Sequence, residues 1–344
     1  MAYTTIDKPT DYFNTKLYTG NGGTQSITGV GFQPDLVWMK SRSVAGAHHL
    51  VNDVVRGADK GIFTNLTNAE ITRGVSSFDS DGFSFDDNAG GDGNASGSSQ
   101  VAWNWLGANG TASNSDGSIT STVSANTTAG FSIVSYTGTG SNLTAGHGLG
   151  SVVKMFFVKE LSNANSWEVY HVSQGAGKNA QLNTTAAFES AGSSRWNSTA
   201  PTSTTISIGT DSGVNRSSSN YIAYCFAEKK GYSKFGSYTG NGNNDGTFIY
   251  TGFKPAFVMN KLSSGADNWL ISDNKRLGYN EKNQQLFPNL SNAEQTNVRY
   301  DLYSNGFKVV NNNGEINTSG ATYIYMAFAE NPFVTSTGVP ATAR

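Results

Sequence analysis

The Tyr-Thr-Gly motif occurs three times, in Phe13-Asn14-Thr15-Lys16-Leu17-Tyr18-Thr19-Gly20-Asn21-Gly22, Phe131-Ser132-Ile133-Val134-Ser135-Tyr136-Thr137-Gly138-Thr139-Gly140 and Phe235-Gly236-Ser237-Tyr238-Thr239-Gly240-Asn241-Gly242. Solenoid and propeller repeats are roughly 20–50 residues long. These copies are separated by the length of a whole domain, roughly 100–150 residues. The sequence therefore predicts a tandem array of three similar modules. Such arrays usually bind other molecules or have a structural role, whereas catalysis tends to need one specialised site.

Each repeat continues with an apolar run that ends in lysine and closes on an alternating run. The lysine-ended runs are Pro34–Lys40, Val153–Lys159 and Pro255–Lys261, and the closing runs are Val101–Trp105, Tyr221–Glu228 and Tyr323–Glu330. Short runs rich in Val and aromatic residues, bounded by Gly and Pro, are typical of strands. Between them lie hairpin signals at Asp81-Gly82, Ser212-Gly213 and Asn305-Gly306, the first and last of a kind that favours type I′ turns.

The fold class predicted from this pattern is all-β, with three tandem antiparallel β-sandwiches of jelly-roll type. We place repeat one at residues 1–112, repeat two at 113–232 and repeat three at 233–344, the last with an extended C-terminal tail. The polar stretch 109–126 is interpreted as a flexible linker. The second junction, at 231–234, is tight, so repeats two and three should pack together.

Composition narrows the function classes. Charged residues make up 14% of the chain and the formal charge is −2, which gives no electrostatic reason for a nucleic-acid partner. The lone Cys225 lies in an apolar run and has no disulfide partner. Residues 1–16 do not read as a signal peptide, and no run approaches the roughly 20 apolar residues of a membrane helix. We expect the protein to be synthesised in a cytoplasm and not to insert into a membrane.

Catalytic and metal sites find little support in the residues. Glu70 with Glu294, and Glu228 with Glu330, recur between repeats and could serve as paired carboxylates. Charged strand ends explain them better, so we predict no catalytic residues. An aspartate group is dense enough to suggest Ca²⁺ but lacks EF-hand spacing; it comprises Asp79, Asp81, Asp86, Asp87 and Asp92. The adjacent His48 and His49 would face opposite sides of a strand. We predict no metal and no cofactor.

Aromatic residues supply the remaining ligand candidates. Four of the six tryptophans fall in strand-like runs and are expected to be core. Trp196, in a polar stretch, is the one most expected to reach solvent and stack on a sugar. Tyr238 is the second candidate, because it lies beside a glycine-rich loop as Tyr18 and Tyr136 do.

Several segments resemble a repeat family of virion structural proteins, tail-fibre or appendage-like, from tailed phages of marine bacteria, including cyanophages. The resemblance is carried by Met1–Asp7, Thr19–Ile27, Gln33–Lys40, Tyr221–Glu228, Gly231–Phe235 and Asn331–Gly338. It covers essentially the whole chain and implies a structural protein of the virion, assembled in the host cytoplasm, with other virion proteins as partners. No site residues come with it.

The sequence thus predicts a non-enzymatic phage component, most simply in a tail fibre or appendage. A capsid decoration or head-fibre protein, and a carbohydrate-binding adhesin for host-surface glycans, are the alternatives. A depolymerase is the enzymatic alternative, supported only by Glu228 and Glu330. Unprotected sheet edges and the trimers common among fibrous appendages predict a homo-oligomer, with a trimer favoured. Repeats two and three would supply much of its interface, and repeat one would be loosely tethered.

Overall fold

The computed structural model describes residues 4–86, 90–276, 280 and 284–332, and its regular secondary structure is almost wholly antiparallel strand. The first group is β1 (Phe13–Thr19), β2 (Gln25–Thr28), β3 (Leu36–Ser41), β4 (Leu50–Asp53), β5 (Lys60–Phe63), β6 (Ile71–Thr72), β7 (Val75–Asp79), β8 (Gly82–Phe85) and β9 (Ser99–Trp105). The second group is β10 (Ala112–Asn114), β11 (Ser121–Asn126), β12 (Phe131–Thr137), β13 (Leu143–Gly146), β14 (Val153–Glu160), β15 (Glu168–His171), β16 (Lys178–Gln181), β17 (Glu189–Ser190), β18 (Thr205–Ile208) and β19 (Asn220–Ala227). The third group is β20 (Ser233–Thr239), β21 (Phe248–Tyr250), β22 (Phe253–Leu262), β23 (Trp269–Asp273), β24 (Gln284–Gln285), β25 (Gln295–Thr296), β26 (Tyr300–Tyr303), β27 (Gly306–Val309) and β28 (Thr322–Pro332).

Within the described residues, helical structure is limited to single turns. They are a 3-10 turn at Pro9–Asp11 and the α-helices α1 (Gly90–Asn94), α2 (Ser212–Asn215) and α3 (Gly314–Asn317). None of the helices in the described ranges has the length and apolar character that crossing a bilayer requires.

The same strand order recurs in the three groups. The large sheet runs β1-β9-β3-β4, then β12-β19-β14-β15, then β20-β28-β22-β23, so the last strand of each repeat lies between its Tyr-Thr-Gly strand and its lysine-ended strand. Smaller sheets with the orders β2-β8-β7, β13-β18 and β21-β27-β26 accompany them. The predicted all-β, antiparallel fold class is confirmed.

Each repeat has an apolar core of its own on one side of its large sheet. Strand residues with alternating burial supply it, as in β21, where Ile249 is buried and its two neighbours are exposed. Representative members are Phe83 and Phe85 in repeat one, Phe156 and Trp196 in repeat two, and Phe307 and Tyr325 in repeat three.

The opposite sides of the three large sheets meet in one shared core. Trp105, Phe226 and Phe328 occupy equivalent positions on β9, β19 and β28, and all three are buried. Their ring centroids lie 6.2 Å (Trp105–Phe226), 5.7 Å (Trp105–Phe328) and 5.9 Å (Phe226–Phe328) apart. Three equivalent side chains in mutual contact mark a pseudo-threefold axis within a single chain.

Backbone hydrogen bonds close the ring of repeats. Repeats one and two are joined by Glu70 N to Leu161 O (3.0 Å) and Asn165 N to Thr67 O (2.7 Å). The equivalent bonds between repeats two and three join Phe188 N to Ser263 O and Asp267 N to Thr185 O; between three and one they join Glu294 N to Arg42 O and Gly46 N to Ser291 O. Every repeat therefore contacts both others in the same way.

This ring corrects the predicted attachment of repeat one. The Trp103 indole donates to Asp273 Oδ2 (2.9 Å), and the Tyr224 hydroxyl donates to Asp53 Oδ2 (2.6 Å). Repeat one is held by buried polar contacts to both neighbours, so the prediction of a loose tether is wrong. The surface that repeats two and three were expected to offer to other copies lies inside the chain.

The predicted linker 109–126 is also wrong as a flexible segment. It contains β10 and β11, which extend the large sheet of repeat two beyond β12. The Asp35 carboxylate fastens this passage, because it accepts hydrogen bonds from Gly107 N (2.8 Å) and the Ser124 hydroxyl (2.7 Å). Low complexity misled the prediction, since Ser, Thr and Asn also form edge strands when a neighbour pairs with them.

Hairpin signals gave a mixed outcome. Strands β7 and β8 pair through Asp79 and Gly82, and β26 and β27 through Tyr303 and Gly306, so two predicted hairpins are confirmed. Their glycines open the second strand instead of lying at the centre of a type I′ turn. The third signal is wrong: Asp211 accepts from Gly213 N and caps α2. The predicted C-terminal tail from residue 333 onward lies outside the described residues.

Candidate functional site

The Tyr-Thr-Gly motif fastens the strand that carries it to the helical turn of the same repeat, and we call this arrangement the clasp. Its tyrosine hydroxyls donate to carbonyls of the helical turn, Tyr18 to Gly93 (2.6 Å), Tyr136 to Val214 (2.7 Å) and Tyr238 to Ile316 (2.9 Å). Its glycines pack where a side chain has no room, because a Cβ on any of Gly20, Gly138 or Gly240 would lie 2.3 Å from a backbone oxygen. The most repeated motif of the chain therefore serves folding.

A buried asparagine completes the clasp from the other side. Asn94, Asn215 and Asn317 end α1, α2 and α3, and each accepts from and donates to the backbone of the glycine-rich loop. For Asn215 the bonds are from Thr139 N (2.7 Å) and to Ser141 O (2.6 Å). The loop is thus satisfied internally, and its backbone groups are not arranged to hold a ligand.

Neither predicted sugar platform is accessible. Trp196 is fully buried in the core of repeat two, where its indole donates to Lys178 O (3.0 Å) and its ring packs edge-on against Phe156. The prediction that Trp196 reaches solvent is wrong, because an apolar ring in a polar stretch still gains more by turning inward. Tyr238 is buried too, and its ring stacks on Tyr323. All six tryptophans are buried.

The recurrent glutamates are held in ion pairs. Glu228 pairs with Lys234 (2.9 Å) and Glu330 with Lys254 (3.2 Å), so each charged strand end has a cation beside it. Glu294 joins Arg42 (2.9 Å) to Arg276 (3.1 Å) across the interface between repeats three and one. These contacts give the carboxylates structural roles at strand ends and interfaces.

The described members of the aspartate group that suggested Ca²⁺ do not converge on one site. Asp81 accepts from Gly29 N and Gly31 N, which lowers the pKa of its carboxyl, whereas Asp92 pairs with Arg73. In the ranges that the structure describes, His, Cys, Asp and Glu side chains form no group of three suited to a metal. Asp87 lies outside those ranges.

The two adjacent histidines have separate surroundings. The His49 ring stacks on Trp103, and burial holds the pKa of His49 well below its usual range, whereas His48 contacts Asn65.

Three buried lysines lie near the ends of the equivalent apolar strands β3, β14 and β22. Lys40, Lys159 and Lys261 are fully buried at equivalent positions, and each ammonium donates to the carbonyl of the following residue at 2.7 Å. Lys159 also donates across the interface to Thr67 O (3.3 Å). Burial lowers the pKa of each lysine to about 8. Lys261 likewise donates across an interface to Thr185 O (3.2 Å), so Lys159 and Lys261 bridge the seams between repeats.

The repeats differ on the outer faces of their small sheets. In repeat three this face exposes three aromatic side chains, Phe248 (44% exposed) and Tyr250 (56%) on β21 and Tyr303 (41%) on β26. Phe248 and Tyr303 lie edge to face with centroids 6.0 Å apart. We define Phe248, Tyr250 and Tyr303 as the aromatic face.

A polar cleft adjoins the aromatic face at the junction of repeats two and three. Tyr250 is one of its walls, and the cleft has a volume of about 510 Å³, within the range of roughly 300–1,000 Å³ usual for ligand sites. Its other lining residues are Glu228, Lys230, Gly231, Ser233, Lys234 and Thr251. The aromatic face and this cleft together form the candidate functional site.

Sequence reasoning missed this site although a signal was present. In Phe248-Ile249-Tyr250 the middle residue faces the core, so its two neighbours must face outward on a strand. Lys230 and Lys234, at the second junction between repeats, line the cleft beside it. Knowing which face of β21 is buried requires the packing of the whole sandwich.

Comparison with known families gives one match. The family described as Domain of unknown function (DUF7483) matches residues 8–332. The chain belongs to this family. The match runs through all three repeats, in agreement with a ring whose parts share one core. Neither a curated protein nor a solved structure matches the chain.

Proposed function

We propose that this chain is a non-enzymatic structural component on the surface of a phage particle, in a tail fibre or appendage. The observation that carries the proposal is the closed ring of three repeats in one chain. Its repeated polar motifs are engaged within and between the repeats, which leaves the outer surface for contacts with other molecules. The full-length resemblance to virion structural proteins provides the biological setting.

Symmetry supports a place on a particle. A body with three equivalent sides can contact a threefold-symmetric partner through all of them at once. The pseudo-threefold axis through Trp105, Phe226 and Phe328 gives a single chain this property. The chain would therefore extend or cap a trimeric assembly without needing two further copies of itself.

The surface chemistry agrees with exposure to salt water. With 14% charged residues, the chain depends little on surface ion pairs, which salt screens within a Debye length of about 8 Å at physiological ionic strength. The clasps, the apolar cores and the backbone hydrogen bonds stabilise the fold instead of surface ion pairs. The ring should keep its structure at the ionic strength of seawater.

Peptide mass spectrometry of purified particles of the encoding phage tests the proposal. We expect peptides from all three repeats at a copy number comparable to that of other minor virion proteins, and none from a phage replication protein as the negative control. Absence of the chain from intact particles would refute a virion role. Host polysaccharide incubated with the purified chain should release no reducing ends, because a depolymerase would.

The same particles distinguish a tail location from a head location. Tails and heads separated on a gradient can each be analysed by mass spectrometry, and the chain is expected in the tail fraction. Its recovery with heads alone would replace the tail-fibre proposal with the capsid decoration or head-fibre alternative.

The predicted homotrimer needs revision in its interface. The seam of repeats two and three is buried within the chain, so any trimer must form through outer surfaces. Because the ring is closed, we now expect size-exclusion chromatography with light scattering to give a monomer of 36.4 kDa. A stable trimer would instead support the homotrimer predicted from the sequence, with its interface on the outer surfaces of the ring.

A further inference from the structure

We infer that the aromatic face of repeat three, with the cleft beside Tyr250, binds carbohydrate: a short stretch of an uncharged, hydroxyl-rich polysaccharide. This inference deepens the proposed function, because it names a host-surface glycan as the partner of the exposed particle component. It rests on residues that differ between repeats, whereas the ring rests on residues that are alike.

The three aromatic side chains lie on the same side of the small sheet, and no side chain separates the two tyrosines. Tyr250 and Tyr303 are the cross-strand neighbours of Gly306 on either side, and Phe248 and Asp301 are the neighbours of Lys308. Gly306 has no side chain to rise between the two tyrosines, and the tip of the Phe248 ring lies 3.0 Å from where its Cβ would stand. The three rings therefore line one open surface.

Equivalent positions in repeat one are small and polar. The register of β2, β8 and β7 places Ser26, Thr28 and Asp79 where repeat three has Phe248, Tyr250 and Tyr303. There the Ser84 hydroxyl bonds to Ser26 (2.8 Å) and Asp79 (2.6 Å). In repeat two the corresponding sheet pairs Thr144 with Ser207, and Ser118 N donates to the Thr144 hydroxyl at its edge. The fold accommodates a polar face, so it does not require these aromatic residues.

Ring stacking with hydroxyl recognition beside it fits a sugar. Aromatic side chains combine a large apolar face with, for tyrosine, a polar edge that hydrogen-bonds, and the apolar face of a pyranose ring matches that flat surface. The charges around the face balance: Lys308 pairs with Asp245 and Lys234 with Glu228, and Asp301 and Lys230 add one charge of each sign. Because this surface has no net charge, it suits a ligand that is also uncharged.

The size of the aromatic face argues against a protein partner. A stable protein–protein interface covers about 800 Å² on each side. Three partly exposed rings supply a fraction of that area, which suits two or three sugar residues that extend into the cleft. A second copy of the chain would find too little apolar surface here to associate stably.

A glycan array of neutral and acidic oligosaccharides, probed with the purified full-length chain, tests the inference. We expect binding to neutral glycans, and at least about a tenfold loss of affinity in the triple variant Phe248→Ser, Tyr250→Thr, Tyr303→Asp, which installs the residues of repeat one. The control variant Val44→Thr, Val152→Thr changes exposed apolar residues elsewhere and should bind as the parent does. Circular dichroism and thermal melting establish that each variant is folded.

Three results would overturn the inference: no binding to any glycan, binding to acidic glycans alone, or equal affinity in the triple variant. Self-association that the triple variant abolishes would also overturn it, in favour of a contact between copies. The particle experiment is independent, because a chain found in virions without glycan binding rejects this inference alone. Glycan binding by a chain absent from virions rejects the proposed function alone.

Discussion

The seam where the three repeats meet and the outer faces of their small sheets are governed by different rules. At the seam, equivalent positions carry equivalent chemistry: aromatic rings at 105, 226 and 328, and buried lysines at 40, 159 and 261. On the outer faces, equivalent positions carry Ser26 in one repeat and Phe248 in another. Residues that are alike hold the ring together, and a residue that is different points to a role other than folding.

The largest expected effect comes from the seam. Phe226→Ala should lower the free energy of unfolding by about 3–5 kcal/mol, because it removes a ring that contacts both other repeats on the pseudo-threefold axis. Chemical denaturation followed by tryptophan fluorescence measures this.

The matched control is Phe248→Ala on the outer face, which should cost about 1 kcal/mol or less. Both variants should unfold in a single transition, since the repeats share a core. Loss of repeat two alone, with repeats one and three still folded, would show that the seam is weaker than its contacts indicate.

The next largest loss of stability is expected at the clasps, and it should be equal in the three repeats. Asn94→Ala, Asn215→Ala and Asn317→Ala each remove an amide from a buried site and leave backbone groups of the glycine-rich loop without partners, so each should cost about 2 kcal/mol. Thermal melting of the three variants gives the comparison, with the exposed Asn312→Ala as control. Unequal losses would mean that the repeats are less alike inside than their bonds suggest.

The buried lysines predict a rise of stability with pH. Each has a pKa of about 8 in the fold, whereas an unfolded lysine titrates near roughly 10.4. The unfolded chain therefore binds more protons between these values, and the free energy of unfolding grows as pH increases through that window. From pH 7 to pH 9 each lysine should add about 1 kcal/mol.

Denaturation of the parent and of Lys159→Met at pH 7 and pH 9 tests the lysine contribution. The variant should lose about a third of the rise with pH. Measurements are not extended beyond pH 9, because burial raises the pKa of the Cys225 thiol and of several tyrosines, and their ionisation on unfolding lowers stability as pH rises further. An unchanged slope in Lys159→Met would assign the pH dependence to other groups.

The smallest effect on stability is expected at the aromatic face. The triple change of Phe248, Tyr250 and Tyr303 to the residues of repeat one should alter the free energy of unfolding by about 1 kcal/mol or less, since these side chains are 41–56% exposed. The reciprocal change Ser26→Phe, Thr28→Tyr sharpens the comparison and should be tolerated equally. A large loss in the first variant would mean that the aromatic face is needed for folding.

The sequence was most informative where local chemistry determines structure. Alternating and apolar runs predicted the strands around Lys40, Lys159 and Lys261, and Ser-Asp-Gly and Ser-Asn-Gly predicted two hairpins. Local chemistry does not show that three sheets turn the same side toward one another. For that reason Trp105 read as the core of a single sandwich, although it lies among residues from all three repeats.

The site was harder to predict than the fold. Trp196 attracted attention because its neighbours are polar, yet the side chain lies in the core beside Phe156. Tyr250 received none, although it is the more exposed residue. Burial depends on which face of a strand meets the second sheet, and the register that decides this is set by residues far away along the chain.

The closed ring also determines valency. A homotrimer must display every surface three times, whereas a chain that contains its own three thirds can display one surface once. The aromatic face is present only in the third repeat among the described residues, so each molecule would engage a glycan with a single, monovalent contact. Firm attachment would then come from the number of copies that a particle carries, since linked weak contacts multiply their strength through effective concentration.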